Sequence, residues 1–151
     1  MKKKVITQTQ ENARIKLNQI GLKFTKEDYI KTFENGVLDA IKCFIDAGID
    51  LNIKDKNGYT ALILAAKHNK LEMAKLLISN GADLNIQSKL GWTALMYAAY
   101  ARFIDMTKLL INSGADLCIE SDDNFTALNC AADSGLGANW PDIIKTLNET
   151  N

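Results

Sequence analysis

The chain is 151 residues long, enough for one domain with a core of its own, and carries 18 basic and 18 acidic side chains. A protein without net charge has no field to draw it to nucleic acid or an anionic membrane, so neither is expected as a partner. Three cysteines without a paired spacing argue against a disulfide framework or a zinc site, and no apolar run could cross a bilayer, which together favour a cytoplasmic location.

Residues 1–21 are predicted to form a polar N-terminus followed by one short helix. Residues 12–20 place Ala13, Leu17 and Ile20 at helical spacing, with Asn12 as the N-cap and Gly21 as the stop. The apolar side of this helix is expected to cover the exposed end of the unit that follows it.

From residue 22 onward the sequence repeats itself. The segment GYTALILAA at 58–66 returns as GWTALMYAA at 91–99 and as NFTALNCAA at 124–132, and each copy lies 33 residues after the last. A second phrase keeps the same step, with GADLN at 81–85 and GADLC at 114–118. Self-similarity at one fixed period of this size indicates a stacked repeat architecture.

These two phrases resemble the ankyrin repeat, whose period is about 33 residues. The likeness is to a bacterial-type variant, because Thr-Ala-Leu stands where the family usually has Thr-Pro-Leu-His. The resemblance implies an all-α ankyrin-repeat solenoid of four stacked helix-turn-helix repeats with β-turn fingers, preceded by an N-terminal capping helix. The repeats are predicted at residues 22–54, 55–87, 88–120 and 121–147, with a polar tail at 148–151.

The first predicted repeat is degenerate. Glu27, Asp28 and Tyr29 stand where the later copies have Thr-Ala-Leu, although Gly36 and Cys43 keep the register of Asn69 and Leu76. We interpret it as a repeat that has drifted into a capping role, since the ends of such arrays must be covered.

Repeats two and three are complete copies. Thr60 and Thr93 are expected to cap the first helix of each repeat through the hydroxyl group, and alanine pairs at 65–66 and 98–99 would let neighbouring helices approach closely. The second helices are predicted at residues 71–79 and 104–112. Each should end at a glycine in the left-handed conformation.

Repeat four begins with Thr126 in the same place, but its second half is displaced by four residues that fall within 136–140. Pro141 then suits the first turn of the last helix, where its missing N–H leaves no hydrogen bond unmade. An extended last loop is therefore predicted, and no fifth repeat.

The sequence contains no arrangement that predicts catalysis, a cofactor or a metal site. His68 is the one histidine, so the sequence has no further histidine from which to build a Ser-His-Asp or Cys-His arrangement. It is expected on the surface at a helix end. The acidic run at residues 120–123 lacks the ligand pattern of a calcium loop. Cys43 and Cys130 fall at core positions and Cys118 at a turn position, so all three are interpreted as structural. The chain is not expected to be an enzyme.

The resemblance implies binding through a concave face built from the turn tips and the adjoining side of each first helix. Tyr59, Trp92 and Phe125 are aligned by the repeat and are predicted to form an aromatic stripe, with basic residues at repeat two and acidic ones at repeat four. Padding between neighbouring turns is the alternative role for these rings. The predicted partner-binding residues are Lys54, Lys56, Tyr59, Lys67, His68, Lys89, Leu90, Trp92, Tyr100, Asp122, Asp123, Phe125 and Asp133.

The predicted function is a non-catalytic protein-protein interaction module that acts as an adaptor or scaffold and is monomeric on its own. An inhibitor of the immunity or antitoxin type, masking an enzyme, is the alternative. An enzyme or small-ligand binder would need a deep pocket with converging polar groups, whereas a stack of helices predicts a shallow groove. A nucleic-acid binder would need a continuous basic stripe, which the acidic residues of repeat four oppose.

Overall fold

The structure, a computed structural model, describes residues 6–133 and Lys145. Residues 6–133 form eight α-helices and no strand. Their bounds are α1 Gln8–Gln19, α2 Lys26–Asn35, α3 Leu38–Asp46, α4 Ala61–Lys67, α5 Leu71–Ser79, α6 Ala94–Tyr100, α7 Ile104–Asn112 and α8 Ala127–Asp133. The predicted extended loop at 136–140, the helix predicted to start at Pro141 and the tail 148–151 fall outside the described residues.

The helices are arranged in two rows. The first helices of the repeats, α2, α4, α6 and α8, pack side by side, and each of α3, α5 and α7 packs against the first helix of its own repeat. Ala65 and Ala66 of α4 and their equivalents in α6 are fully buried, which is what the close contact between neighbouring helices requires. The all-α helix-turn-helix solenoid is confirmed.

The N-terminal helix covers the end of the array but begins earlier than predicted. Its N-cap is Thr7 and not Asn12, because Thr7 and Gln10 form a capping box in which each side chain accepts a hydrogen bond from the other's backbone N–H, at 3.2 and 3.0 Å. Asn12 lies inside the helix and accepts a hydrogen bond from Gln8. Ala13 and Leu17 are buried, and α1 packs on α3.

The first helix of repeat one begins earlier than those of the later repeats. The N-cap of α2 is Thr25, two residues before the position aligned with Thr60, so α2 has ten residues where α4 has seven. Tyr29 in this helix is fully buried at the position aligned with Leu62. A longer helix with a buried aromatic ring thus replaces the Thr-Ala-Leu start of the other repeats.

The fingers between the repeats are β-turns, as predicted. In the first, the Gly58 N–H donates to the Asp55 carbonyl at 3.1 Å, and the Asp55 N–H donates to the Tyr59 carbonyl at 2.9 Å. The same pair of bonds recurs in the fingers at 88–92 and 121–125. Adjacent fingers are joined by backbone bonds, from Lys89 to the Asn57 carbonyl and from Asp122 to the Leu90 carbonyl.

The backbone repeats with the sequence. Nine of the ten described residues with positive φ fall into three sets with 33-residue spacing, which are Gly36, Asn69 and Arg102, then Gly48, Gly81 and Gly114, then Gly58, Gly91 and Asn124. The predicted caps Thr60, Thr93 and Thr126 each accept a backbone N–H at 3.3 Å. The second helices and their left-handed glycine ends are also confirmed.

A ladder of asparagine side chains joins the loops after the second helices. The Asn52 Oδ1 accepts the Asp83 N–H at 3.0 Å, and the Asn85 Oδ1 accepts the Asp116 N–H at 2.8 Å. We expect Asn85→Ala to lower the free energy of unfolding by roughly 0.5–1.5 kcal/mol, because the Asp116 N–H loses its acceptor. Urea unfolding would measure this change. An unchanged free energy of unfolding would contradict the ladder.

Candidate functional site

A pocket of about 480 Å³ lies in the angle between the fingers and the first-helix row of repeats two to four. The fingers contribute Tyr59, Leu90, Trp92 and Phe125, and the remaining wall comes from helices α4, α6 and α8 and the residue after α6. Those wall residues are Lys67, Tyr97, Tyr100, Ala101 and Cys130. We call this set of nine residues the aromatic pocket.

The rings of the aromatic pocket contact one another through Tyr97. Its centroid lies 5.0 Å from that of Trp92 and 5.7 Å from that of Tyr59, in edge-on or tilted geometry, and Tyr100 packs edge-on against Trp92 at 5.5 Å. The predicted members of the aromatic stripe, Tyr59, Trp92 and Phe125, all line the pocket, and Tyr97 bridges the first two. One helix pair separates successive fingers, and Tyr97 fills the space left between the first two.

Tyr97 is a pocket residue that sequence reasoning missed. It stands where repeats two and four have Leu64 and Cys130, so its position in the repeat looks like an ordinary interior one. The available signal was a tyrosine at a position that is otherwise apolar, because a buried tyrosine hydroxyl usually needs a hydrogen-bond partner. That partner is Tyr59, whose Oη lies 3.4 Å from the Tyr97 Oη.

Lys67 is the charged member of the aromatic pocket. Its Nζ lies 4.6 Å from the centroid of the Tyr59 ring and 5.8 Å from that of Tyr97, and donates to the Tyr59 Oη at 3.4 Å. An ammonium over the face of an aromatic ring is attracted by the ring quadrupole. Among the described residues no carboxylate pairs with it, so its charge is open to an anionic group from outside.

The two linked hydroxyls differ in acidity. Burial raises the pKa of Tyr97 to about 12. The hydrogen bond that Tyr97 donates lowers the pKa of Tyr59 below its usual value, and Lys67 acts in the same direction. The pair is thus arranged so that Tyr59 accepts hydrogen bonds from both neighbours.

Tyr97→Phe is expected to raise the pKa of Tyr59. Phenylalanine has no hydroxyl to donate to the Tyr59 phenolate, so the charged form loses its main stabilisation and the pKa moves up. A carbon-detected NMR titration of the tyrosine rings measures this directly. Tyr100→Phe is the control, since the Tyr100 hydroxyl is not part of the pair. An unchanged Tyr59 titration in Tyr97→Phe would contradict the hydrogen-bond account.

The structure brings six of the predicted site residues into the aromatic pocket and places the others elsewhere. The six are Tyr59, Lys67, Leu90, Trp92, Tyr100 and Phe125. Lys54 donates to the Gln87 carbonyl at 2.9 Å, which joins two fingers. His68 is exposed at the end of α4, as predicted, and lines a separate cavity with Phe33 and Lys70. Lys56, Lys89, Asp122 and Asp123 are exposed on the fingers, and Asp133 ends α8.

The described part of the chain offers surface for binding and no grouping for metal chemistry. No cluster of histidine, cysteine, aspartate and glutamate there could hold a metal ion. No described helix has the length and apolar character needed to span a membrane. Cys43 and Cys130 are buried and Cys118 is exposed. What the aromatic pocket can do is pack large apolar groups and attract one negative charge.

Comparison with known proteins agrees with the helix pairs, the fingers and the 33-residue step. A family model described as ankyrin repeats (many copies) matches residues 45–98, and one described as ankyrin repeats (3 copies) matches residues 80–150. A search of the curated proteins returned no match. Ankyrin repeats are generally protein-protein interaction modules, and proteins of the family are generally not catalytic. The chain belongs to the ankyrin-repeat family.

Proposed function

We propose that the protein is a non-catalytic, cytoplasmic adaptor or scaffold that binds a protein partner through the aromatic pocket and the finger surface around it. The observation that carries this proposal is the exposure of two large apolar side chains at its rim, with Leu90 60% exposed and Tyr100 51% exposed beside the ring of Trp92. Contiguous apolar groups on a soluble protein are typical of interaction sites. Trp and Tyr in particular are enriched among the residues that dominate binding energy.

The packing inside the pocket supports binding as well as padding. Trp92 is held between Tyr97 and Tyr100, so its ring is already fixed before a partner arrives. An anchor that is ordered in the free protein loses little conformational entropy on association, which favours affinity. The alternative in which these rings serve only as padding accounts for Trp92 but leaves the exposure of Leu90 and Tyr100 without a purpose.

The test compares capture of partners from native cell extract by wild type, Trp92→Ala and Tyr100→Ala, read by mass spectrometry. We expect both variants to bind the captured partner about tenfold or more weakly, as for a central aromatic anchor. Ile104→Ala is the matched control, because Ile104 is 50% exposed in the same repeat but lies on α7, outside the pocket. Unchanged capture by both pocket variants, or equal loss with Ile104→Ala, would refute the proposal.

The same experiment separates an adaptor from the alternative inhibitor. If the captured partner is an enzyme, its activity is measured in the purified one-to-one complex and after release. An adaptor leaves that activity unchanged, whereas an inhibitor abolishes it. Light scattering of the free protein tests the accompanying expectation that it is a monomer.

A further inference from the structure

The geometry points to the chemistry of the partner: the aromatic pocket takes an aromatic side chain that stands next to an acidic residue in an extended segment of the partner protein. The inference rests on the proposed function and specifies what that function recognises. Two features of the pocket carry it, the arrangement of its rings and the position of Lys67.

The ring arrangement suits an aromatic occupant. The cavity of about 480 Å³ falls within the range of pockets that enclose a large side chain or a compact ligand. Trp92 is tilted by 47° against Tyr97 and by 78° against Tyr100, so the walls present both ring faces and ring edges. An inserted ring can therefore meet edge-to-face and offset partners together, and these are the geometries that aromatic pairs prefer.

The position of Lys67 selects the neighbouring charge. A partner that covers the pocket removes water from the ammonium, and an ammonium without a counter-ion is costly to desolvate. A carboxylate beside the inserted ring offsets this cost. A cationic occupant is disfavoured, because Lys67 already lies over the Tyr59 face and would repel a second positive charge.

The rim favours a chain segment over a free small molecule. Leu90 and Tyr100 are 60% and 51% exposed at the rim, and backbone hydrogen bonds join the three fingers into one surface beside the pocket. A segment that inserts one ring and continues along the fingers covers both side chains. A small acid confined to the cavity leaves most of that apolar surface in water.

The test uses labelled peptides with a constant Gly-Ser frame around two central residues, which are Trp-Asp, Trp-Asn, Trp-Lys or Ala-Asp. Dissociation constants are measured by fluorescence anisotropy against wild type, Lys67→Gln and Lys67→Glu. Lys108→Gln is the matched control, because it removes the same charge from an exposed position on α7, outside the pocket and the fingers. The free acid 3-(indol-3-yl)propionate is added as an unlabelled competitor. It carries an indole ring and a carboxylate, so it tests whether these two groups bind the pocket without a peptide chain.

We expect wild type and Lys108→Gln to bind Trp-Asp about three- to tenfold more tightly than Trp-Asn and to bind Ala-Asp most weakly. The Asp preference should disappear in Lys67→Gln and change to Trp-Lys in Lys67→Glu. No measurable peptide binding, an Asp preference that survives Lys67→Gln, or equally tight binding of the free acid would each overturn the inference.

Failure of this inference is distinguishable from failure of the proposed function. If the natural partner binds Lys67→Glu but not Trp92→Ala, the pocket is still the binding site and only the acidic neighbour is refuted. If the partner binds both variants, the pocket is not the binding site and the proposed function is refuted.

Discussion

Replacing Gly91 by alanine is expected to lower the free energy of unfolding by about 2–4 kcal/mol, through backbone strain and a direct clash. Gly91 has φ +73°, and a Cβ there would lie 2.5 Å from the Asp122 N and 2.9 Å from the Ser121 carbonyl carbon. These are backbone atoms of the next finger, and the Asp122 N–H is bonded to the Leu90 carbonyl. The finger therefore cannot move aside without breaking the contact that joins two repeats.

Gly81→Ala separates the two causes of this loss. Gly81 has a similar φ of +84°, but a Cβ there would meet nothing within 4 Å. We expect a loss of roughly 1–2 kcal/mol from the left-handed backbone alone. Urea unfolding followed by circular dichroism gives both values. Equal losses for the two variants would show that the close approach of the fingers contributes nothing.

Asn124 is consistent with this account. It occupies the equivalent place in the finger of repeat four with φ +61°, and asparagine is among the few residues with a side chain that enter this region readily. Residues 6–133 contain no further finger after 121–125 that this side chain would meet. Glycine is thus expected where another finger follows closely, and asparagine is sufficient in the last described finger.

The regular part of the fold was predictable because each repeat gives independent evidence for the same structure. A single Thr-Ala-Leu or Gly-Ala-Asp-Leu segment fits several local structures. Three copies at one spacing fix the helix caps, the second helices at 71–79 and 104–112, and the turns between them. A 33-residue step in sequence becomes a 33-residue step in backbone conformation, which the three sets of positive φ values display.

Where the sequence has only one copy, prediction was weaker. Asn12 and Thr7 both fit the first position of α1, and the decisive signal was Gln10 three residues after Thr7, the second half of a capping box. The alignment with repeat two gave no sign that the cap of α2 is Thr25, two residues before the position aligned with Thr60. In both places local side-chain chemistry, and not the repeat, determines where the helix begins.

Within the site, the sequence predicted which surface the residues share but not how they contact. Lys54 and Lys67 are both basic residues of repeat two, yet one joins two fingers and the other enters the aromatic pocket. The position and direction of the side chain decide this difference, and the direction does not follow from the repeat. Tyr97 was missed for the same reason, since the repeat gives its position but not the direction of its ring.

Phe44→Ala is expected to lower the free energy of unfolding by about 3–5 kcal/mol, the usual cost of removing a buried aromatic side chain. The Phe44 ring is fully buried, packs edge-on against Tyr29 with centroids 5.5 Å apart, and stacks with Phe24 at 6.3 Å. These rings hold α2 and α3 of the degenerate first repeat together. In an array where each repeat contacts only its neighbours, the loss should be concentrated in α1 to α3.

Hydrogen exchange tests where the damage falls. In Phe44→Ala the amides of α1 to α3 should lose protection first, while those of α6 and α7 keep it. Tyr29→Phe is the matched control in the same cluster, because it keeps the ring and removes a buried hydroxyl that has no hydrogen-bond partner among the described residues. Removing that hydroxyl breaks no hydrogen bond and removes the cost of burying an unpaired polar group. Tyr29→Phe should therefore leave the free energy of unfolding unchanged or raise it by up to about 1 kcal/mol.

Stability and binding should therefore separate in Phe44→Ala. All residues of the aromatic pocket lie in repeats two to four, so at a temperature where α4 to α8 remain folded the variant should bind the Trp-Asp peptide as wild type does. Loss of protection spread evenly over all helices, or loss of peptide binding in parallel with repeat one, would show instead that the array folds as one cooperative unit. In that case the first repeat supports the binding surface from a distance and is more than a cover for the end of the stack.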